Sequence, residues 1–173
     1  MNILSAHSAN NTSLYGPEVS WQVTEKTIDF EFSVRSSCGF HSCDSFGFDY
    51  SKNWGLWDFD VVEIFIKRSG EHYLELQCSP LGQTVALLIE KPREKHVIPK
   101  TLPVNFTSNI DTEWKTKISI PLDFIPGDGA SIFGGCFACL GENPREYYSL
   151  NPNPEKSADF HRPELFLKFG EIK

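Results

Sequence analysis

"DVVEIFIKRSGEHYLELQCS", residues 60 to 79, decides the fold. Period-two alternation runs through both of its halves: Val62, Ile64 and Ile66 share one face, and Leu74, Leu76 and Cys78 share another. Burying both sets on the same side requires that even-numbered residues pair with even-numbered ones. A three-residue loop, Ser69-Gly70-Glu71, meets that condition and is a common hairpin length. The register it predicts sets Val62 opposite Cys78, Glu63 opposite Gln77 and Phe65 opposite Glu75. The reverse face then carries Val61, Glu63, Phe65, Tyr73, Glu75 and Gln77, a mixture of flat apolar and hydrogen-bonding groups. Such a face suits a solvent-facing surface, a second layer under a loop, or a sugar-binding surface. In the last case, C–H patches stack on rings and hydroxyls meet carboxylates and amides.

The same alternation extends outward. "TIDFEFSV" (27–34) places Ile28, Phe30, Phe32 and Val34 on one side and Asp29, Glu31 and Ser33 on the other. "TVALLIEK" (84–91), "WKTKISIP" (114–121), "SIFGGCFACL" (131–140) and "LFLKFGEI" (165–172) read as further strands. Trp21 and Trp114 fall in alternating stretches and are expected in the core. Residues 38–55 read as a long loop, 91–103 as a Pro-rich irregular excursion, and 122–125 as a turn. Neither sustained helical periodicity, an internal repeat nor a dividing linker is present. The expectation is a single domain over residues 1–173: an all-β, two-sheet antiparallel β-sandwich, jelly-roll-like.

Fourteen Phe, five Tyr and four Trp in 173 residues are an aromatic load that suits strands and flat binding surfaces. A net charge of −7 argues against a nucleic-acid partner, whose phosphates need a basic stripe. No run approaches the ~18 apolar residues of a membrane span, so no membrane partner is expected. "MNILSAHSANN" has neither a charged nor an apolar leader region. The expectation is a cytoplasmic protein, or a secreted one whose leader lies outside this chain. Five cysteines are an odd number for a disulfide framework. Cys38, His41 and Cys43 with the CxxC of Cys136 and Cys139 could be written as a zinc site. In a strand, however, three-residue spacing sends Cys136 and Cys139 to opposite faces, and buried thiols are the simpler reading.

Four segments between residues 56 and 167 carry a family resemblance: "LWDFDVVEIFI", "YLELQCSPLGQ", "WKTKISIPLDFI" and "DFHRPELF", in that order. The chain resembles the family 9 carbohydrate-binding modules and their DOMON-like relatives. The resemblance implies a lectin-like β-sandwich that clamps a mono- or oligosaccharide between two aromatic walls, without chemistry, with calcium often bracing the loops. Trp57 matches the first wall, and Glu63 matches the acidic hydroxyl acceptor. Gln77 is expected to join Glu63, and Trp54 to stand nearby. Where relatives often carry the second wall as Trp, this chain has Leu150 within "REYYSLNPNP", so Tyr148, or else Tyr147, is expected to substitute. On a straight strand, Trp57 and Glu63 would lie ~20 Å apart. Sharing one sugar therefore requires the segment before Asp60 to fold back. Asp60 could serve calcium or cap the strand, and Asp44, Asp49 and Asp58 are further candidate oxygen ligands. His161 and Arg162 are expected to anchor the last strand.

Other function classes remain. A sandwich that has lost sugar binding and holds a protein partner is the alternative. Glu63 and Glu75, diagonal neighbours ~7 Å apart in the predicted register, would meet the spacing of a glycoside hydrolase. Nothing in the sequence explains a raised pKa for either, and there is no nucleophile elbow, P-loop or HExxH motif. Haem ligation by a Met–His pair is not expected because the one Met is Met1, and although two of the five histidines could serve instead, no spacing recommends them.

Overall fold

A computed structural model describes residues 2–3, 5–6, 16–36, 39–152 and 158–172. The alternating stretches form β4 (Thr27–Val34), β5 (Val61–Lys67), β6 (Tyr73–Cys78), β7 (Thr84–Lys91), β10 (Trp114–Pro121), β11 (Ser131–Leu140) and β13 (Leu167–Glu171). Six further strands join them: β1 (Asn2–Ile3), β2 (Ser5–Ala6), β3 (Glu18–Val23), β8 (Lys95–Val97), β9 (Asn105–Ile110) and β12 (Glu146–Ser149). One sheet runs in the order β1-β3-β4-β10-β9, and the other runs β2-β12-β11-β5-β6-β7-β8. Pairing throughout is antiparallel. β13 and β12 share one edge of β11, the first beside Ser131–Gly134 and the second beside Phe137–Leu140. The fold is the expected antiparallel sandwich.

The core lies between the sheets. Ile28, Phe30, Phe32 and Val34 of β4 meet Val62, Ile64 and Ile66 of β5 and Leu74 and Leu76 of β6, all buried. Each such side chain contributes roughly 1.5–3 kcal/mol by leaving water. The β5–β6 register is the predicted one: Val62↔Cys78, Glu63↔Gln77, Phe65↔Glu75. Trp114 is fully buried, and Trp21 is half-buried at the edge, where its indole N–H donates to Phe169 O at 2.9 Å. Cys136 enters this core while Cys139 joins a second cluster on the opposite face of β11, so the two thiols do part as the strand spacing requires. Cys38 of the zinc expectation lies outside the described residues.

The first sheet keeps one wet face, since β4 and β10 alternate between buried and more exposed positions. The second sheet does not: β6 is buried at every residue and β5 at all but its last. Its outer face carries a second apolar layer, with Leu56, Val61, Phe65, Tyr73, Leu87 and Phe137 packed under Phe46, Phe160 and Phe166 from loops. Of the three readings of that face, a solvent surface is excluded. The Pro-rich stretch also departs from expectation, because Lys95–Val97 pairs back on β7 after a turn in which Arg93 has φ 63°. The expected turn is present as a 3-10 turn at Leu122–Phe124.

Candidate functional site

The loops over the second sheet leave one large cleft, about 680 Å³ in volume. Strands supply its floor: Glu63 and Phe65 from β5, Glu75 and Gln77 from β6, and Cys139 from β11. Trp54 and Trp57 line it from the segment before β5, Tyr147 from β12, and Phe160 and His161 from the segment before the last 3-10 turn. The predicted residues Trp54, Trp57, Glu63 and Gln77 are therefore brought together.

The chain before Asp60 folds back, as joint use of Trp57 and Glu63 requires. Gly55, at φ 90°, takes a left-handed conformation that costs glycine little. A 3-10 turn follows at Leu56–Asp58, with Leu56 fully buried beneath it. Arg145 locks the turn. One guanidinium nitrogen donates to Trp57 O and Phe59 O, each at 2.6 Å, and the other donates to Gly141 O at 2.7 Å. Asp60, 2% exposed, accepts from the backbone N–H groups of Gly141 (2.6 Å) and His41 (2.9 Å) and lies 3.4 Å from Arg145. Its carboxylate ties three loops together. Burial still pushes its pKa up, against those three stabilising contacts.

Trp54 is 56% exposed, edge-on to Trp57 with ring centroids 4.7 Å apart and stacked on His96 at 4.8 Å. Tyr148 is not a wall. It pairs with Ala138 and is buried in the core between the sheets. Its neighbour Tyr147 pairs with Cys139 and takes the cleft-facing side, beside Phe160 at 6.2 Å. Leu150, too, packs on the inner core.

The floor is electrostatically unusual. Glu63 and Glu75 are 3% and 4% exposed. Burial raises the pKa of both, and the charge of Glu63 raises Glu75 further. This is the cause of raised pKa that the sequence did not reveal. The donors facing them are few: the Cys139 thiol at 3.5 Å from Glu63 and the Gln77 amide N–H at 2.8 Å from Glu75. The carbonyl oxygen of Gln77 is buried without a hydrogen-bond partner. His161 stands beside them rather than serving as a strand anchor, with Nδ1 2.6 Å from the Tyr73 hydroxyl and Nε2 3.9 Å from Glu75. Burial and nearby Arg93 lower its pKa, which favours the neutral ring. Sequence reasoning assigned no cleft role to Arg145, Phe160 or His161. Phe160 and His161 carried a signal, the Phe-His-x-Pro run of "DFHRPELF", and Arg145 carried none.

Asp44, Asp49, Asp58 and Asp60 are the oxygen ligands expected for calcium. Asp49 is engaged with Ser51 and Lys52, and among the described residues no three His, Cys, Asp or Glu side chains converge as a metal site.

Three solved structures share this architecture. A Bacteroides uniformis protein given a candidate carbohydrate-binding role superposes over 96% of this chain and 83% of its own, with TM-score 0.75 and 19% identity. A Caldicellulosiruptor kristjanssonii family 9 module in complex with glucose matches over 96% and 82%, with TM-score 0.59 and 11% identity. The same organism's family 9 module with cellotriose matches over 96% and 80%, with TM-score 0.60 and 10% identity. The fold is that of the family 9 carbohydrate-binding modules. No family model matches the sequence. Among curated proteins, the chain is similar to the UPF0462 protein C4orf33 homologs of Mus musculus and Danio rerio, each 34% identical over 124 residues. Those matches cover 66% of this chain and 62% and 61% of the relatives, so the chain spans about three-fifths of their length.

Proposed function

We propose that this family 9-like sandwich is a non-catalytic carbohydrate-binding protein whose ligand enters the cleft over the second sheet. One observation carries the reading. An aromatic rim that includes Trp57 stands over a buried polar floor of Glu63, Glu75 and Gln77, and the Gln77 carbonyl has no partner of its own. A sugar ring offers what each part lacks, with C–H patches for the indole and hydroxyl donors for the floor. Trp57 is the stacking wall and Tyr147, in place of Tyr148, faces the ligand with it. Trp54 extends the aromatic surface at the mouth.

Isothermal titration with glucose, cellobiose and xylobiose tests the reading. Binding at micromolar to millimolar strength is expected, falling at least tenfold in Trp57→Ala because the lost burial of apolar indole area adds to a stacking contribution of about 0.5–1.5 kcal/mol. Undiminished binding in Trp57→Ala would remove it from the site, and silence from a folded sample toward a wide glycan panel would leave a protein partner as the better occupant. The buried carboxyl pair also favours a second reading, a glycoside hydrolase. That reading requires release of reducing sugar from a bound oligosaccharide; the non-catalytic one requires the oligosaccharide to be recovered intact.

A further inference from the structure

The cleft floor holds more acceptors than donors, and no cationic side chain comes within hydrogen-bond distance of its two carboxyl groups. Glu63, Glu75 and Gln77 present five oxygen atoms from neighbouring strands. Two donors serve them, the Cys139 thiol and the Gln77 amide, and the Gln77 carbonyl receives none.

The cations nearby are occupied elsewhere. Arg145 spends its guanidinium on Trp57 O, Phe59 O, Gly141 O and Asp60. Arg93 pairs with Asp159, Lys91 with Glu94, and Lys95 with Glu90. His161 uses Nδ1 on the Tyr73 hydroxyl, and its Nε2 is too far from Glu75, at 3.9 Å, for a hydrogen bond. Tyr73 is itself held protonated by burial, so it contributes no charge.

A neutral sugar repairs only half of this imbalance. Each hydroxyl brings one donor and no charge, which leaves two mutually repelling carboxyls to keep a proton or stay unneutralised. An ammonium group brings three donors and a positive charge, and its hydrogen bonds to carboxylates are roughly twice as strong as neutral ones. The surrounding aromatic rim keeps the requirement for a ring. Resting on the carbohydrate reading above, the geometry points to an amino sugar as the preferred ligand, its ammonium group seated between Glu63 and Glu75 and within reach of the Gln77 carbonyl.

The test is a titration of the intact protein near neutral pH, in chelator-containing buffer, with three ligands. Glucosamine carries the ammonium, glucose a hydroxyl in its place, and N-acetylglucosamine an uncharged amide. Glucosamine is expected to bind at least tenfold tighter than either of the others. In Glu75→Gln and in Glu63→Gln that ratio is expected to collapse toward one, with circular dichroism and melting curves checking that each variant is folded. Glucose binding as well as glucosamine would overturn the inference while leaving the sugar reading intact, and so would equal binding of the N-acetyl form. Silence from all three would overturn the inference, and silence extending to the wide glycan panel would overturn the sugar reading with it. Calcium binding to the chelator-free wild type, lost in Glu63→Gln, would assign the floor to a divalent cation and overturn the ammonium site. Should both variants fail to fold, the comparison of the three ligands on the wild type still decides.

Discussion

Glu63 and Glu75 are polar residues in places where the surrounding sandwich wants apolar ones, and folding has a pH dependence as a result. In the native protein both hold their proton at higher pH than in the unfolded chain, where the ordinary value is 4.5. The native state therefore binds more protons than the unfolded one above that value, and stability falls as pH rises through the native pKa range. Asp60 acts in the same direction. His161 acts oppositely, because its pKa is lowered from 6.5, so stability from it grows as pH climbs toward that value. The unfolded histidine is half-charged at pH 6.5 and about nine-tenths neutral one unit higher, so its opposing contribution fades as the carboxyl pair titrates. The denaturation midpoint in urea is expected to decline between about pH 6.5 and 8.5 and to flatten in Glu75→Gln. A midpoint that rises over the same interval would contradict the burial of the pair. Register made Glu63 and Gln77 legible as neighbours, and the family resemblance brought Trp57 to them by requiring the chain before Asp60 to fold back. Of the two tyrosines offered for the second wall, the preferred Tyr148 turns into the core and the alternative Tyr147 lines the cleft. Tyr147 and Tyr148 differ only in strand parity, and parity depends on recognising that "EYYS" pairs with β11, which no alternation in four residues announces.

At the scale of elements, the site is held by loops tied across sequence by Arg145. Its side chain joins the 3-10 turn before β5 to the loop between β11 and β12, and Asp60 joins both to the segment around His41. Arg145→Ala leaves Asp60 buried without its cation and three backbone carbonyls without a charged donor. Breaking a pair so enclosed costs about 3–5 kcal/mol, measurable by chemical denaturation. Sugar affinity is expected to fall at least tenfold even though the expected sugar contacts are untouched, because Trp57 loses the donor to its carbonyl. A loss of affinity without loss of stability would instead make Arg145 a direct ligand contact. The long strands were legible because one buried face imposes alternation on them. β8, β9 and β12 were not. β8 is exposed throughout, and β9 "NFTSNI" is an exposed or half-buried edge with apolar residues only at Phe106 and Ile110. In β5 and β6 the alternation gave the register, but a reverse face of mixed aromatic and polar residues did not announce that loops would cover it.

The whole molecule is a three-layer object: the first sheet with its wet face, the second sheet buried on both sides, and a loop layer carrying the cleft. The inter-sheet core is extensive and continuous, whereas the loop layer rests on a smaller apolar cluster and on the Arg145–Asp60 ties. Ligand binding should therefore act first on the loop layer, the part with least independent stability. A ligand at one hundred times its dissociation constant stabilises a native protein by about 2.7 kcal/mol, which for a chain of this size raises Tm by roughly 5–10 °C. Amide exchange monitored at the same saturation is expected to slow most across residues 54–59 and 141–147. β4 and β10 should already exchange slowly without ligand. Trp57→Ala should lose the Tm shift and the loop protection together. A Tm rise with unchanged exchange in those two loops would mean that the sugar binds elsewhere on the sandwich, and the cleft would then be a feature of the fold without being its site.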